Sequence, residues 1–241
     1  MWKDNFEIID FHSHILYGVD DGSDSLSMSL EILRELLNQG VDKVVSTSHY
    51  YNFREPLHDF LARRDDALYN LERHIKEHDL FLPEIVCGAE VRLYPGLWQE
   101  SELDRLCIGN TRNILIEMPY DNWTPWMYNE IYSVASKGYT PVMAHVERYV
   151  DFVSTKEIIQ NLLSLDVLIQ FNCDSFEDRP KRRFMKKIIK SGYLPFLGSD
   201  CHNTTTRKPC INAACEYISK KYSDSYLKDM MNYASETISE N

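Results

Sequence analysis

The sequence lacks any apolar run long enough to cross a bilayer, and Met1-Trp2-Lys3-Asp4-Asn5 carries charge in place of the apolar core of a secretory signal. Membrane insertion and export are therefore not expected, and the chain reads as cytoplasmic. Positive charge is scarce as well. Lys plus Arg number 26 against 37 Asp plus Glu, a formal net charge of -11, which removes the long-range attraction that nucleic-acid binding needs. An anionic substrate would have to be met by local cations, either metal ions or a few arginines. The six cysteines (Cys87, Cys107, Cys173, Cys201, Cys210, Cys215) lack the short paired spacings of a zinc knuckle or a thioredoxin-like site. They read as small buried apolar residues in a reducing compartment. No Pro, Gly or Ser stretch divides the chain, and 241 residues suffice for one sizeable core, so residues 1–241 are expected to form a single domain.

What the sequence does have is a cadence. A helix-like segment ends at Gly, a short apolar run follows, and a polar residue with metal-binding chemistry closes the run. Gly40 leads through Val41-Asp42-Lys43-Val44-Val45 to His49, Gly138 through Tyr139-Thr140-Pro141-Val142-Met143 to His145, and Gly192 through Tyr193-Leu194-Pro195-Phe196-Leu197 to Asp200. Glycine just past a helix accepts the left-handed conformation that ends it, and the β-branched or aromatic run behind it suits a buried parallel strand. In the helix before Gly40, Leu26, Leu30, Leu33 and Leu37 share one face, with Ser23 or Asp24 available to cap its amino end. Further strands are expected over residues 7–11, 85–91, 113–117 and 166–172, and helices near 56–79, 125–137, 155–164, 179–191 and 207–220.

Seven strands alternating with helices or long loops give an α/β parallel sheet. Candidate ligands at nearly every strand end favour a closed or distorted barrel. In an open doubly wound sheet, ligands gather at one switch point; that architecture stays open.

The candidate ligands are His12, His14, His49, His145 and His202, with Glu90, Glu117 and Asp200, each standing where an apolar run stops. In a strand, His12 and His14 point to the same side, so one ion can take both imidazoles. Asp21 sits in the loop Val19-Asp20-Asp21-Gly22, which by itself reads as a solvated turn. Any one of these residues is ordinary as a capping carboxylate or a satisfied histidine. Together they describe a site for divalent cations, which imidazoles mixed with carboxylates bind. His58, His74 and His78 lie in a charged helical stretch and are assigned to solvent.

Taken in order, His12-Ser13-His14, His49, Glu90, His145-Val146-Glu147-Arg148 and Ser199-Asp200-Cys201-His202 resemble the PHP (polymerase and histidinol phosphatase) superfamily. Val19-Asp20-Asp21-Gly22, Ser46-Thr47-Ser48-His49 and Ala144-His145-Val146-Glu147-Arg148-Tyr149 are similar to the bacterial manganese-dependent protein-tyrosine phosphatases encoded with capsule and exopolysaccharide genes. The resemblance runs from the first strand to the last. It implies a distorted seven-stranded (β/α) TIM-like barrel, the PHP fold, holding three metal ions, with Mn favoured and Fe or Zn also accommodated by such ligands. By that resemblance His12, His14, Glu90 and Asp200 hold the first ion, Glu90, Glu117 and His145 the second, and Asp21, His49 and His202 the third.

The implied chemistry is hydrolysis of phosphotyrosine by a hydroxide shared between metal ions, whose charge makes water a nucleophile near neutral pH. Arg148 and Arg207 are the candidate phosphate clamps, because guanidinium offers paired donors to phosphate. The alternative for Arg148 is an ion pair with neighbouring Glu147, and for Arg207 a solvated loop position. Cys201 to Arg207 matches the Cys-x5-Arg spacing of cysteine phosphatases but lies within the ligand pair Asp200 and His202 and lacks a glycine-rich loop. Tyr50, Tyr51 and Phe53, and Tyr120, Trp123 and Trp126, follow candidate ligands and either stack on the substrate ring or pack on the rim. The partner implied is the tyrosine-phosphorylated tail of a bacterial kinase that controls polysaccharide export. A small-molecule phosphatase, such as one acting on histidinol phosphate, and a non-catalytic module that binds phosphotyrosine tails stay open, as does oligomeric state.

Overall fold

The computed structural model describes residues 6–239; the leading residues 1–5, read above for a signal, lie outside it. The chain alternates short strands with helices. The strands are β1 (Ile9–Ser13), β2 (Lys43–Ser46), β3 (His49–Tyr50), β4 (Glu84–Cys87), β5 (Glu90–Arg92), β6 (Asn113–Glu117), β7 (Thr140–Met143), β8 (Leu168–Asn172) and β9 (Phe196–Gly198). All pair in parallel, in a sheet ordered β1-β2-β4 and a second ordered β3-β5-β6-β7-β8-β9. The result is a mixed α/β fold whose parallel sheets curl into a half-barrel around a continuous apolar core. Backbone bonds from Asp200 N to His12 O at 2.8 Å and from His14 N to Cys201 O at 2.9 Å bring the chain after β9 against β1.

Two of the expected strands are each broken in two. The run leading to His49 is interrupted at Thr47-Ser48, and the run over 85–91 at Gly88-Ala89. The breaks re-aim the chain: Glu90 N bonds back to Thr47 O and Ser48 O, at 3.2 and 3.1 Å, and His49 then pairs in register with Glu90. The sequence could not reveal this, because the breaks span only two residues each and the pairing of the second halves is set by neighbouring strands.

The helices are α1 (Leu26–Asn38), α2 (Leu57–Glu77), α3 (Pro125–Ser136), the single turn α4 (Thr155–Glu157), α5 (Arg179–Lys190), α6 (Ile211–Lys221) and α7 (Asp224–Ser239). Gly40, Gly138 and Gly192 have φ of +84°, +85° and +91°, the left-handed conformation expected after helix ends. At α1 the cap is Ser25, whose Oγ accepts from Met28 N at 3.3 Å, in place of Ser23 or Asp24. Its buried face is centred on Leu30, Ile32, Leu33 and Leu36, so Leu26 and Leu37 are only half-buried edges of the stripe. After α4 the expected helix over 155–164 widens into a π turn, Ile158–Leu162.

No expectation covered α7. Leu227, Met230, Met231 and Ala234 recur at i, i+3, i+4 and i+7, and that face is buried. It touches the amino-terminal ends of three strands: Ile9 N donates to Met231 Sδ at 3.4 Å, Phe196 stacks on Tyr233 at 5.3 Å, and Asn113 Nδ2 donates to Thr237 O at 2.8 Å. No helix among the described residues is long and apolar enough to cross a membrane.

Candidate metal centre

The candidate ligands gather at the opposite, carboxyl ends of the strands. His12 lies on β1 and His14 one residue past it, His49 and Glu90 lie three residues past β2 and β4, where β3 and β5 begin, and Glu117 ends β6. His145 lies two residues past β7, and Asp200 and His202 lie two and four past β9. His145 and Asp200 have φ of +34° and +51°, so the backbone holds both in the left-handed region that non-glycine residues avoid. Gly198, which ends β9, is needed for close approach: a Cβ there would meet His12 Cβ at 2.5 Å and Gln170 Nε2 at 2.6 Å.

Glu90 is the hub. Its Oε2 lies 3.1 Å from His12 Nε2, 3.4 Å from His14 Nε2 and 3.0 Å from His49 Nδ1, and its Oε1 lies 2.8 Å from His145 Nε2. Asp200 Oδ1 is 3.8 Å from His12 Nε2 and 3.3 Å from His14 Nε2. Glu117 Oε1 is 3.8 Å from His145 Nε2, while Asp21 Oδ1 reaches His49 Nε2 at 3.7 Å and His202 Nε2 at 3.5 Å. Three overlapping donor groups result, each with atoms within 4.8 Å of one another: His12, His14 and Asp200; His14, His49 and His202; and His49, Glu90 and Glu117. His14 and His49 therefore each stand between two groups.

The surrounding hydrogen bonds settle which nitrogen of three rings faces inward. Gln170 Oε1 accepts from His145 N at 2.7 Å, so the atom 3.1 Å from His12 Nδ1 is an acceptor, and His12 Nδ1 must carry the proton. His14 Nδ1 donates to Asp20 Oδ2 at 2.7 Å, and His202 Nδ1 to the Asp200 carbonyl at 3.0 Å. Each ring is left with Nε2 turned into the cluster. An outer acceptor on one imidazole nitrogen and a free lone pair on the other is the arrangement of metal-bound histidine.

The electrostatics agree. Burial pushes the Glu90 carboxyl up, but His12 and His49 more than offset this and hold it well below its ordinary range. Burial likewise opposes ionisation of Asp200, which His12, His14 and Arg148 keep well below the usual value. Burial pulls His14 down, and Asp20 outweighs it, raising the ring well above its normal value. Without other cations, these buried carboxylates stay ionised only by drawing protons onto the imidazoles opposite; divalent cations would do the same with the rings neutral. Among the described residues, two buried nitrogens, His49 Nδ1 and His202 Nε2, make no aligned hydrogen bond, although carboxylate oxygens lie 3.0 and 3.5 Å away. The donor set fits divalent metal.

Both arginines converge on Asp200. Arg148 Nη2 is 2.8 Å from Oδ2 and Arg207 Nη2 is 2.8 Å from Oδ1, so Arg148 does not take the alternative pairing with Glu147. The fully buried Glu147 instead accepts from Asn172 N at 3.2 Å. Of the aromatic candidates, Tyr50 and Trp123 are buried in the rim, whereas Tyr51 stacks on His49 at 4.9 Å and Tyr120 on His145 at 6.0 Å. Phe53 is 73% exposed and Trp126 37%. His58 is exposed, and His74 stacks on His78 at 4.1 Å on α2, apart from the cluster.

Asp10 and Asn172 stand at strand ends where the sequence allows either support of the ligands or ordinary strand-end hydrogen bonding; Asn172 bonds Asp200, Asp10 accepts from Ser199 N at 2.8 Å, and further contributors were not picked out from the sequence. Asp20 is the buried member of the Asp20-Asp21 pair, accepting from His14 and also from His49 N at 2.8 Å. Gln170 Nε2 donates to Asn172 Oδ1 at 2.9 Å, and Asn172 Nδ2 to Asp200 Oδ2 at 2.7 Å, linking His12, His145 and Asp200. Arg92 holds Glu117 at 3.0 Å, its register partner across β5 and β6. A polar residue two positions before Asn172 in the otherwise apolar run Leu168–Asn172 was the available signal for Gln170.

A family model described as "Capsular polysaccharide synthesis, CpsB/CapC" matches residues 8–240. The chain is 27% identical over 222 residues to the tyrosine-protein phosphatase YwqE of Bacillus subtilis, covering 89% of this chain and 85% of that protein. It is 29% identical over 229 residues to the tyrosine-protein phosphatase CpsB of Streptococcus agalactiae, covering 89% and 91%. Among solved structures, one described as YwqE from Bacillus subtilis and CpsB from Streptococcus pneumoniae, "unique metal-dependent tyrosine phosphatases", superposes with a TM-score of 0.83 at 25% identity, covering 96% of this chain and 94% of the other. A lactonase from Listeria monocytogenes shares the fold at a TM-score of 0.60 and 11% identity. The chain belongs to the CpsB/CapC capsular polysaccharide synthesis family.

Proposed function

We propose that this protein is a metal-dependent protein-tyrosine phosphatase. The observation that carries the reading is the convergence of Nε2 of His12, His14 and His202 with Glu90 and Asp200 beneath two arginines, all at one end of the strands. In this reading the two sheets are one distorted seven-stranded (β/α) barrel of the PHP type, and residues 1–241 act as a single cytoplasmic domain.

His12, His14, Glu90 and Asp200 would hold one divalent ion, Glu90, Glu117 and His145 a second, and Asp21, His49 and His202 a third, with Glu90 shared. Three ions, Mn by family likeness, would supply Lewis acidity toward the phosphoryl oxygens and a water acidic enough to attack phosphorus at neutral pH. Arg148 and Arg207 present guanidinium donors to the phosphoryl oxygens and stabilise charge that develops there. Their bonds to Asp200 orient both forks at the mouth of the cluster. Tyr51 and Tyr120, stacked on His49 and His145, wall the position where a phenyl ring would enter. The phenolate leaves without strong protonation help, since its parent pKa is about 10. The substrate class that fits is a phosphotyrosine tail of a bacterial kinase acting in polysaccharide export.

The test is turnover of Mn-loaded protein on tyrosine- and serine-phosphorylated versions of one peptide, with histidinol phosphate alongside. Tyrosine-phosphorylated peptide is expected to give much the highest kcat/KM. Equal turnover of the two peptides would remove the tyrosine assignment, a strong preference for histidinol phosphate would make this a small-molecule phosphatase, and tight peptide binding without phosphate release would make it a binding module.

A further inference from the structure

A cavity of about 660 Å³ opens beside the metal centre and runs away from it. Arg148, Asp200 and Arg207 line its inner end, so it shares a wall with the phosphate clamps. Beyond them it is lined by Arg182 of α5 and Lys208 of the loop that follows β9, with Phe176 and Tyr217 as aromatic wall. Its volume is that of a side-chain or small-ligand site.

What sets these two cations apart is their position, on one cavity wall next to Arg148 and Arg207. Among the described residues, neither Arg182 nor Lys208 forms an ion pair. Arg182 is held by one arm only: Nη1 donates to Phe176 O at 2.9 Å while the guanidinium lies over the Tyr217 ring at 5.9 Å. That anchoring pre-orients the fork and leaves its other donors unclaimed. Asp174 and Glu177 also line the cavity, both exposed, and neither pairs with Arg182 or Lys208. Arg182 is half-buried and Lys208 exposed, so both can be reached from solvent, and the unclaimed guanidinium donors are worth most when matched to a carboxylate or phosphate.

We infer that this cavity is a second anion subsite, in which Arg182 and Lys208 take an anionic side chain on the residue flanking the phosphotyrosine while Arg148 and Arg207 hold the phosphoryl group under attack. The inference rests on the phosphatase reading and adds to it a substrate preference: a carboxylate, or a second phosphate, near the scissile phosphotyrosine. Phe176 and Tyr217 would cover the aliphatic or aromatic stem of that side chain. Neither Arg182 nor Lys208 touches the reacting atoms, so their contribution falls on KM.

The experiment compares wild type with Arg182→Ala/Lys208→Ala, metal-loaded, on five probes: p-nitrophenyl phosphate, and phosphotyrosine peptides scanned with Ala, Asp, Lys or a second phosphotyrosine at the neighbouring positions. Wild type is expected to prefer one or more anionic-flank peptides over the Ala peptide. The double variant should lose about five- to tenfold in kcat/KM on those peptides, through KM, with p-nitrophenyl phosphate and the Ala peptide unchanged. Arg182→Glu should shift preference toward Lys-flanked peptides. The Asp and second-phosphotyrosine arms decide which anion the subsite takes. Equal kcat/KM on all peptides in wild type, or equal loss on every probe in the variant, would overturn the inference. Calorimetric binding of the same peptides reads the cavity independently of turnover. Absent hydrolysis with retained preference for anionic flanks would thus sink the phosphatase reading alone.

Discussion

The carboxyl and amino ends of the strands in this molecule are stabilised in different ways. At the carboxyl ends, Glu90, His12, His14 and Asp200 crowd together fully or almost fully buried, His145 and Asp200 take left-handed backbone, and Gly198 is stripped of a side chain to let His12 in. At the amino ends, α7 lays Leu227, Met230, Met231 and Ala234 against the strands and closes that end with apolar burial. Burying charge and straining backbone both cost stability, whereas burying methionine and leucine supplies it. The contrast separates residues kept for chemistry from residues kept for the fold.

Substitutions can break or sharpen that division, ordered here by their effect on turnover. Glu90→Gln removes the negative charge shared by the whole donor set and should lower kcat/KM by roughly 10³-fold or more, the several kcal/mol that a Lewis acid supplies, with cooperative unfolding retained. His49→Ala and His202→Ala should likewise abolish turnover in folded protein; loss of cooperative unfolding in either would make those residues structural. Arg148→Ala should cost on the order of 10²-fold, mainly in kcat, because its donors act on charge that develops at phosphorus. Steady-state kinetics showing only a raised KM would return Arg148 to simple substrate binding.

Gln170→Leu leaves every ligand in place but removes the acceptor that fixes His12 Nδ1 and His145 N. Metal affinity or activity should fall about 10- to 100-fold, read by metal titration, and an unchanged affinity would show that the ring orientations do not depend on it. Met231→Ala lies at the far end. It should destabilise by about 2–5 kcal/mol in denaturant titration, with kcat/KM of the folded fraction unchanged. A parallel loss of turnover would mean that the two ends are coupled.

The division also explains what was legible in the sequence. The candidate ligands stood out because a polar residue closing an apolar strand is visible as a pattern, and the helix-ending glycines marked where three of those strands begin. Asp20 and Asp21 could not be told apart, since adjacent carboxylates in a loop differ only in which one the loop turns inward; the structure buries Asp20 and leaves the Asp21 side chain 66% exposed. The partners of Arg148 and Arg92 come from distant chain segments, Asp200 and Glu117, and no local spacing encodes such pairs. The breaks at Thr47-Ser48 and Gly88-Ala89 were invisible because register is set by neighbouring strands. By contrast the apolar stripe of α7 has ordinary helical period and is legible, but α7 follows no strand and so falls outside the β/α cadence.

Anomalous scattering at the manganese edge from the Mn-soaked crystalline protein, paired with elemental analysis, tests the central claim most directly. Three sites, two of them sharing the Glu90 carboxylate and the set contacting His12, His145 and His202, are the result this account predicts. Protein that binds no metal, or binds it away from Glu90, would contradict it.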